Sequence, residues 1–439
     1  MDRLSFTSDL IFNNKKCVYI SGIAGSGKSY LLRQLYDEAT LRKINCVLTS
    51  TTGVSAFNIG GCTIHSFFNL VLPTQLPTNI EEFISRIVTK IKFKKYLLKK
   101  WTDLQILFID EVSMLGANYI DILDNICKRI RHSNKPFGGI QLVCSGDLLQ
   151  LCPVNDFFCF ETPVWEEINF TNIILTKAYR FDSQQWNSIL QRARIGSLTK
   201  DDISTLRKCL TKQNKSDIQP TVIYSLKRDV DDLNQVALED MNEQPFIFEG
   251  EDVIGLEEKI TDNFVIVRHC TEEQSKILDS NLNVKRNVTL KKGAQVMLVA
   301  NLDVSMGLVN GSRGVITQIE EGKVIVKFKG KQHEFEEEIV PYDFKIEHQG
   351  ELLVRKIIPL ILGYASTIHK CQGLSLDCAI VNCGDSIFSP AQAYVALSRV
   401  RSLEGLFLEQ LRTDKIFPNK RALEYDNKMK KTGILIDEI

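Results

Sequence analysis

The chain carries no surplus of either charge: 54 Lys and Arg balance 54 Asp and Glu over 439 residues. A protein that coats nucleic acid through bulk charge is therefore excluded, whereas a partner held in a locally basic groove is not. No apolar run reaches the roughly 20 residues that span a bilayer, so no membrane partner is expected. The opening Met1-Asp2-Arg3-Leu4-Ser5-Phe6 lacks the basic-then-apolar order of a secretory leader, and Asp2 and Asp9 are out of place in an Arg-rich transit peptide. An intracellular location, cytoplasm or nucleus, is the expectation. Paired cysteines are missing too. Twelve are scattered from Cys17 to Cys383 with no Cys-x-x-Cys spacing, which argues against a zinc site. Cys17, Cys46 and Cys144 stand inside apolar runs, where a free thiol packs as a small hydrophobe, as in a reducing compartment without disulfides.

What is present is globular. The length implies two to four domains, and 44% apolar with 25% charged residues is a soluble-domain profile. The strongest local pattern is Gly22-Ile23-Ala24-Gly25-Ser26-Gly27-Lys28-Ser29, a P-loop at every fixed position. Cys17-Val18-Tyr19-Ile20 before it reads as a short buried strand, and Ser29 through Leu35 opens an amphipathic helix. Glycines let the backbone curl its N–H groups toward phosphate oxygens, and the helix N-terminus adds favourable charge. Lys28 is expected to reach the β and γ phosphates and Ser29 to ligate Mg²⁺. A Gly-rich turn between strand and helix is the bland alternative; the joint presence of strand, helix, Lys28 and Ser29 disfavours it.

A P-loop needs an acidic partner on a nearby strand. Leu104-Gln105-Ile106-Leu107-Phe108-Ile109 is an almost continuous apolar run, as in a parallel strand buried on both faces, and it ends at Asp110-Glu111. Carboxylates at that end lie where open α/β sheets bind ligands. Asp110 is expected in the Mg²⁺ shell, and Glu111 to orient and deprotonate a water. Residues 45–50 and 140–145 read as further strands of the sheet, the latter running into Gly146-Asp147-Leu148-Leu149-Gln150, where Gln150 would sense the γ-phosphate. These residues imply an NTP-hydrolysing α/β domain over about 1–175, without saying what the hydrolysis drives.

Further segments carry a resemblance. Thr49 through Phe67, Asp110 through Leu115, Met114 through Leu142, Gly146 through Val154, Leu175 through Arg180, Lys291 through Leu298 with Leu308 through Gly314, Ala365 through Gly373 and Tyr394 through Val400 follow in order. They resemble the motifs of the petite-integration-frequency family of superfamily 1 DNA helicases, which move 5′ to 3′. The resemblance runs from Gly22 to about Gly405.

It implies two RecA-like P-loop domains, with a wedge-like insertion in the first and a small Src-homology-like β-barrel in the second. The expected limits are 1–175 for the first domain with its wedge at about 66–101, 176–242 with 356–412 for the second, 243–355 for the barrel and 413–439 for a polar, loosely ordered tail. The first domain would bring the P-loop, Asp110, Glu111 and Gln150 to ATP, and the second would bring Arg180 and Arg399 to the developing phosphoryl charge. Gln372 and Gly373 would lie near the same nucleotide, with Lys177 divided between nucleotide contact and a structural role. Thr51, Thr52, Ser55, His65 and Phe67, with Thr367, His369 and Lys370, would contact single-stranded DNA or a DNA junction through phosphates and stacking. The molecule would act as a monomer, or as a dimer on DNA. The lysine-rich stretch Lys90 through Lys100 reads either as a solvated amphipathic helix or as the DNA side of the wedge.

Some positions depart from the family. No glutamine precedes Gln34 to read adenine, and Ser5 falls near the expected place. Phe181 follows Arg180 where a glutamine is common, and Cys152 and Cys371 replace commoner residues. The P-loop begins at Gly22, so a compact helicase core of bacterial or viral type is expected. The rival readings are a single-stranded-DNA translocase or RecD-like subunit that needs a partner, and a non-enzymatic DNA-binding module. Intact Lys28, Asp110, Glu111, Gln150 and Arg399 speak against the last.

Overall fold

The computed structural model describes residues 3–68, 70, 78–153, 156–181, 183–213, 219–257, 264–282, 284–303, 306, 308–329, 334–348 and 351–436. The chain divides into two compact units. One is Met1–Arg180 with Pro418–Ile439, and the other is Phe181–Phe417.

The first unit is built on a seven-stranded, all-parallel sheet. Its order is Ile434–Ile436, Thr171–Leu175, Val18–Gly22, Gln141–Gly146, Ile106–Asp110, Cys46–Ser50, Cys62–Thr63. Val18–Gly22 and Ile106–Asp110 are buried along their whole length, as their unbroken apolar runs require when both faces are covered. The helix Lys28–Leu41 buries Leu31, Leu32, Leu35 and Ala39. These pack with Val18, Ile20 and Phe108 in one core.

A second core in this unit gathers Tyr19, Leu107 and Ile109 with the helix Ala117–Arg131. That helix buries Ile120, Leu123, Cys127 and Ile130, which helical spacing brings to one face. Its last residue acts as a brace. Arg131 donates to the carbonyls of Gly138 (2.9 Å), Trp101 (2.9 Å) and Leu104 (3.0 Å), tying it to the helix Lys95–Asp103, while Arg129 donates to Ser85 Oγ (3.0 Å) of the paired helix Ile80–Phe93. This pair fills most of the expected wedge region; residues 69 and 71–77 of that region lie outside the described residues.

The second unit has a four-stranded parallel sheet in the order Ala365–Thr367, Thr221–Tyr224, Ala379–Cys383, Leu406–Leu411. Two helices, Gln184–Arg194 and Lys200–Lys208, belong to the same unit. The described part of 243–355, the stretch expected as a barrel, is mostly antiparallel β. One sheet orders Phe264–His269, Glu251–Glu257, Glu351–Ile357, Tyr342–His348; another orders Glu334–Ile339, Lys323–Lys329, Arg313–Glu320, Gln295–Leu298, Leu360–Leu362. The acidic strand Glu334–Ile339 is matched by lysines of its neighbour: Lys327 pairs with Glu334 (2.6 Å) and Lys323 with Glu338 (2.8 Å).

Two expectations are corrected here. The tail is not loosely ordered: Lys420–Thr432 is a helix, and Ile434–Ile436 is an edge strand of the first unit's sheet. Arg180, expected from the second domain, belongs to the first unit, because the segment after Thr171–Leu175 lies on the P-loop.

Candidate active site

The P-loop joins the strand Val18–Gly22 to the helix Lys28–Leu41. Gly25 (φ 75°) and Gly27 (φ 84°) take left-handed backbone, which curls the loop and which L side chains rarely adopt. The loop is also crowded. A Cβ on Gly22 would stand 2.5 Å from the Leu175 carbonyl oxygen, and one on Gly25 would stand 2.5 Å from Arg180 Cβ. Ala24 and Ser26, within the loop, are buried, and Ser29 lies half-buried in the first turn of the helix. Lys28 Nζ donates to the carbonyls of Gly22 (2.9 Å) and Ile23 (3.0 Å), so the ammonium is held at the rim of the loop.

Asp110 ends its strand, 2% exposed, and its Oδ1 accepts a hydrogen bond from Ser145 Oγ. Ser145 stands on Gln141–Gly146, between the P-loop strand and the Asp110 strand, so one hydroxyl fixes the carboxylate across the sheet. Glu111 follows with φ 51°, a left-handed conformation uncommon for a non-glycine residue and typical of strained functional positions. Thr51 Oγ1 donates to its carbonyl (3.0 Å), which ties the end of Cys46–Ser50 to this turn. Gln150 is buried, and its Nε2 donates to Asp147 Oδ2 (3.3 Å).

Arg180 is half-buried over the P-loop. The preceding Tyr179 N–H donates to the Gly25 carbonyl (2.8 Å), which brings the Arg180 stem onto Gly25. Arg3 was not singled out from the sequence, yet it reaches the same place. Its guanidinium donates to the Ser26 carbonyl (3.4 Å) and lies 5.5 Å from the centre of the Tyr179 ring, as does the Lys177 ammonium. Ser5, two residues on, is exposed. Neither Arg3 nor Ser145 had a sequence signal: the contacts span 23 and 35 residues of chain and belong to no motif.

The expected DNA contacts of the first unit differ in what they are free to do. Thr52 caps the helix Gly53–Ile59 by accepting from Ser55 N (3.2 Å), and the Ser55 side chain is buried. His65 packs on the Tyr119 ring at 4.6 Å, and burial lowers its pKa. Phe67 meets Phe68 edge-on at 4.9 Å with the Lys100 ammonium over its ring at 5.4 Å. His65 and Phe67 thus contribute to packing.

In the second unit, Thr367 caps the short helix Ile368–Cys371 by accepting from Lys370 N (3.2 Å). His369 and Lys370 reach solvent there. Burial of their inner portions still lowers both pKa values, and the nearby ammonium of Lys227 adds to the effect on Lys370. Asn234, another residue without a sequence signal, clips this turn with a double hydrogen bond to the backbone of Ala365 (3.0 and 3.1 Å). Gln372 is buried, and Gly373 is left-handed (φ 84°). Arg399 is 1% exposed and donates to Val395 O (2.9 Å), Cys371 O (3.4 Å) and Ser398 Oγ (2.7 Å). The structure therefore groups Thr367, His369, Lys370, Gln372, Gly373 and Arg399 around one turn, and Lys28, Ser29, Asp110, Glu111, Gln150 and Arg180 at the carboxyl edge of the other sheet.

Residues 5–201 match the family model for PIF1-like helicase, and residues 274–319 match that for the DNA helicase Pif1 2B domain. The chain belongs to the PIF1-like helicase family. Within it, the ATP-dependent DNA helicase PIF1 of Xenopus laevis is 33% identical over 447 residues, an alignment that covers 99% of this chain and 65% of that protein. The chain thus spans less than two thirds of that PIF1 relative. Pif1 from Bacteroides sp in complex with ADP-AlF4 is 26% identical with a TM-score of 0.76, covering 99% of this chain and 97% of its own. Bacteroides Pif1 bound to ssDNA is 26% identical with a TM-score of 0.64, covering 98% and 96%.

Proposed function

We propose that this chain is an ATP-dependent DNA helicase that moves 5′ to 3′ on single-stranded DNA and unwinds duplex, forked, G-quadruplex or R-loop structures in replication, repair or recombination. The observation that carries the reading is the set Lys28, Ser29, Asp110 and Gln150 at one sheet edge in a PIF1-like chain. Catalysis of this kind is mostly positioning and charge stabilisation. P-loop N–H groups cradle the phosphates. Lys28 exchanges its bonds to two neutral carbonyls for charge-assisted bonds to phosphate oxygens.

Ser29 and Asp110 would hold Mg²⁺, which would supply positive charge to offset that of the phosphates. The residues fit that ion. Asp110 is a buried carboxylate oriented by Ser145, and Ser29 offers a hydroxyl in the first turn of the P-loop helix. Glu111 orients and deprotonates the water, Gln150 senses the γ-phosphate, and Arg180 and Arg399 stabilise the developing charge, with Gln372 and Gly373 at the nucleotide.

Thr51, Thr52, Ser55, His65, Phe67, Thr367, His369 and Lys370 form the track for single-stranded DNA. Thr52 and Thr367 accept backbone N–H bonds at their hydroxyl oxygens as helix caps, which leaves each O–H to donate to a phosphate oxygen. In the same reading 66–101 is the wedge and 243–355 a barrel. Seven basic and no acidic residues stand between Phe83 and Thr102, which supports a DNA-facing role for the wedge. The protein works as a monomer or as a dimer on DNA, inside the cell. Among the described residues no helix is long and apolar enough to cross a membrane. ATP turnover with and without single-stranded DNA tests the reading: stimulation is expected, and equal rates contradict it.

A further inference from the structure

The C-terminal strand is joined to the nucleotide site by a short chain of contacts, all within the first unit. Pro418 re-enters that unit, and Asn419 caps the helix Lys420–Thr432, accepting from Arg421 N (3.0 Å) and Ala422 N (3.3 Å). Tyr425 anchors this helix. Its ring stacks on Phe160 at 4.3 Å, and its hydroxyl accepts from Trp165 Nε1 (2.8 Å). Gly433 then makes a turn that tolerates no side chain, since a Cβ would stand 2.9 Å from Met429 O and 3.0 Å from Ile174 Cδ1. Ile434–Ile436 pairs in parallel with Ile173, Ile174 and Leu175. Leu435 is 57% exposed, whereas Ile436 packs against the core beneath the P-loop helix.

The register places the end of this strand at a decisive point. Leu175 is paired on one side with Ile436 and on the other with Gly22, the first residue of the P-loop. Thr176 still donates its N–H to the Ile436 carbonyl (3.4 Å), and within four further residues come the Tyr179 bond to Gly25 and the Arg180 stem on the loop. The exit direction of the segment 176–180 is therefore set between two strands, one that carries the P-loop and one that comes from the end of the chain.

We propose that Ile434–Ile436 is a positioning strap: it fixes where Thr176–Arg180 leaves the sheet, and so holds Tyr179 and Arg180 on the P-loop for nucleotide binding and turnover. The strap touches no nucleotide itself and acts through Arg180. It rests on the reading of the P-loop as a nucleotide site.

The test is a double-mutant cycle on the whole 439-residue chain. One change is a stop after Gly433, or Gly433→Val, which displaces the strand's start without deleting it; the other is Arg180→Ala. Binding of ADP–aluminium fluoride, ATP turnover and thermal melting are measured for each. The strap variants are expected to weaken analogue binding about tenfold, equivalent to ~1.4 kcal/mol. In the Arg180→Ala background the same strap changes are expected to add little, because both act through one side chain. Single-stranded DNA binding without nucleotide is expected to stay unchanged. Additive effects, or lower melting temperature with unchanged analogue binding well below the melt, overturn the proposal and leave the strand a purely structural edge. Absence of analogue binding by the unmodified protein would instead overturn the nucleotide-site reading.

Discussion

The Tyr179 N–H donates to the Gly25 carbonyl oxygen at 2.8 Å, and this bond makes Arg180 a resident of the P-loop's own unit. Arg399 is in the other unit, with its guanidinium on Val395, Cys371 and Ser398. The two arginines are therefore expected to fail differently. Arg180→Ala should lower both nucleotide affinity and turnover, since its side chain is at the loop before any other event. Arg399→Ala should lower turnover by roughly three orders of magnitude, as loss of an arginine finger does. It should also lower the melting temperature, because it empties a buried polar cluster. Steady-state kinetics, analogue binding and melting of each variant separate the two patterns.

Lys28→Ala and Glu111→Gln remove different parts of the hydrolytic site. Each is expected to cut turnover by on the order of 10² or more. Single-stranded DNA binding should remain measurable in both by fluorescence anisotropy. Loss of DNA binding in both variants would contradict the assignment of these residues to hydrolysis.

His65 gives a pH dependence with a defined sign. Burial against Tyr119 lowers its folded-state pKa below the ordinary value of 6.5. The unfolded chain then binds more protons than the folded one between the lowered value and 6.5, so the stability from neutral His65 is present above 6.5 and lost as pH falls below it. Denaturant unfolding from pH 7.5 down to pH 5 should show this loss, and His65→Gln should reduce the slope. An unchanged slope in the variant would assign the pH dependence to other groups.

The helical pair Ile80–Phe93 and Lys95–Asp103 presents Phe93 at 83% exposure and Tyr96 at 44%, flanked by Lys92, Lys94 and Lys95. Exposed rings among lysines suit base stacking and phosphate contact. Replacing Lys92, Lys94 and Lys95 with alanine should flatten the salt dependence of junction binding by up to about three log units of slope, one per phosphate contact. Phe93→Ala should slow unwinding while leaving DNA-stimulated ATP turnover intact. Equal losses in both activities would place Phe93 elsewhere in the cycle.

Local patterns revealed the P-loop strand, its helix and the Asp110 strand, and missed the contacts that hold them together. The P-loop, the Asp110 strand and the helix Ala117–Arg131 each carry a complete signal in contiguous residues, because burial on two faces, a glycine turn or a helical apolar face needs no distant partner. Ile434-Leu435-Ile436 carries none. Three apolar residues after a polar helix do not say which strand they will join, and a parallel edge pairing is wholly nonlocal. Arg3 and Ser145 were unreadable for the same reason. Arg180 was assigned to the second domain but lies in the first unit, since the sequence does not show that the chain folds back over Gly25.

The central claim is that nucleotide hydrolysis at Lys28, Asp110 and Glu111 drives directional movement on single-stranded DNA. Strand-displacement assays on two partial duplexes, identical except for a 5′ or a 3′ single-stranded tail, test it most directly. The account predicts ATP-dependent unwinding of the 5′-tailed duplex, little of the 3′-tailed one, and none by Lys28→Ala. Unwinding of the 3′-tailed duplex alone, or of neither despite DNA-stimulated turnover, would contradict it.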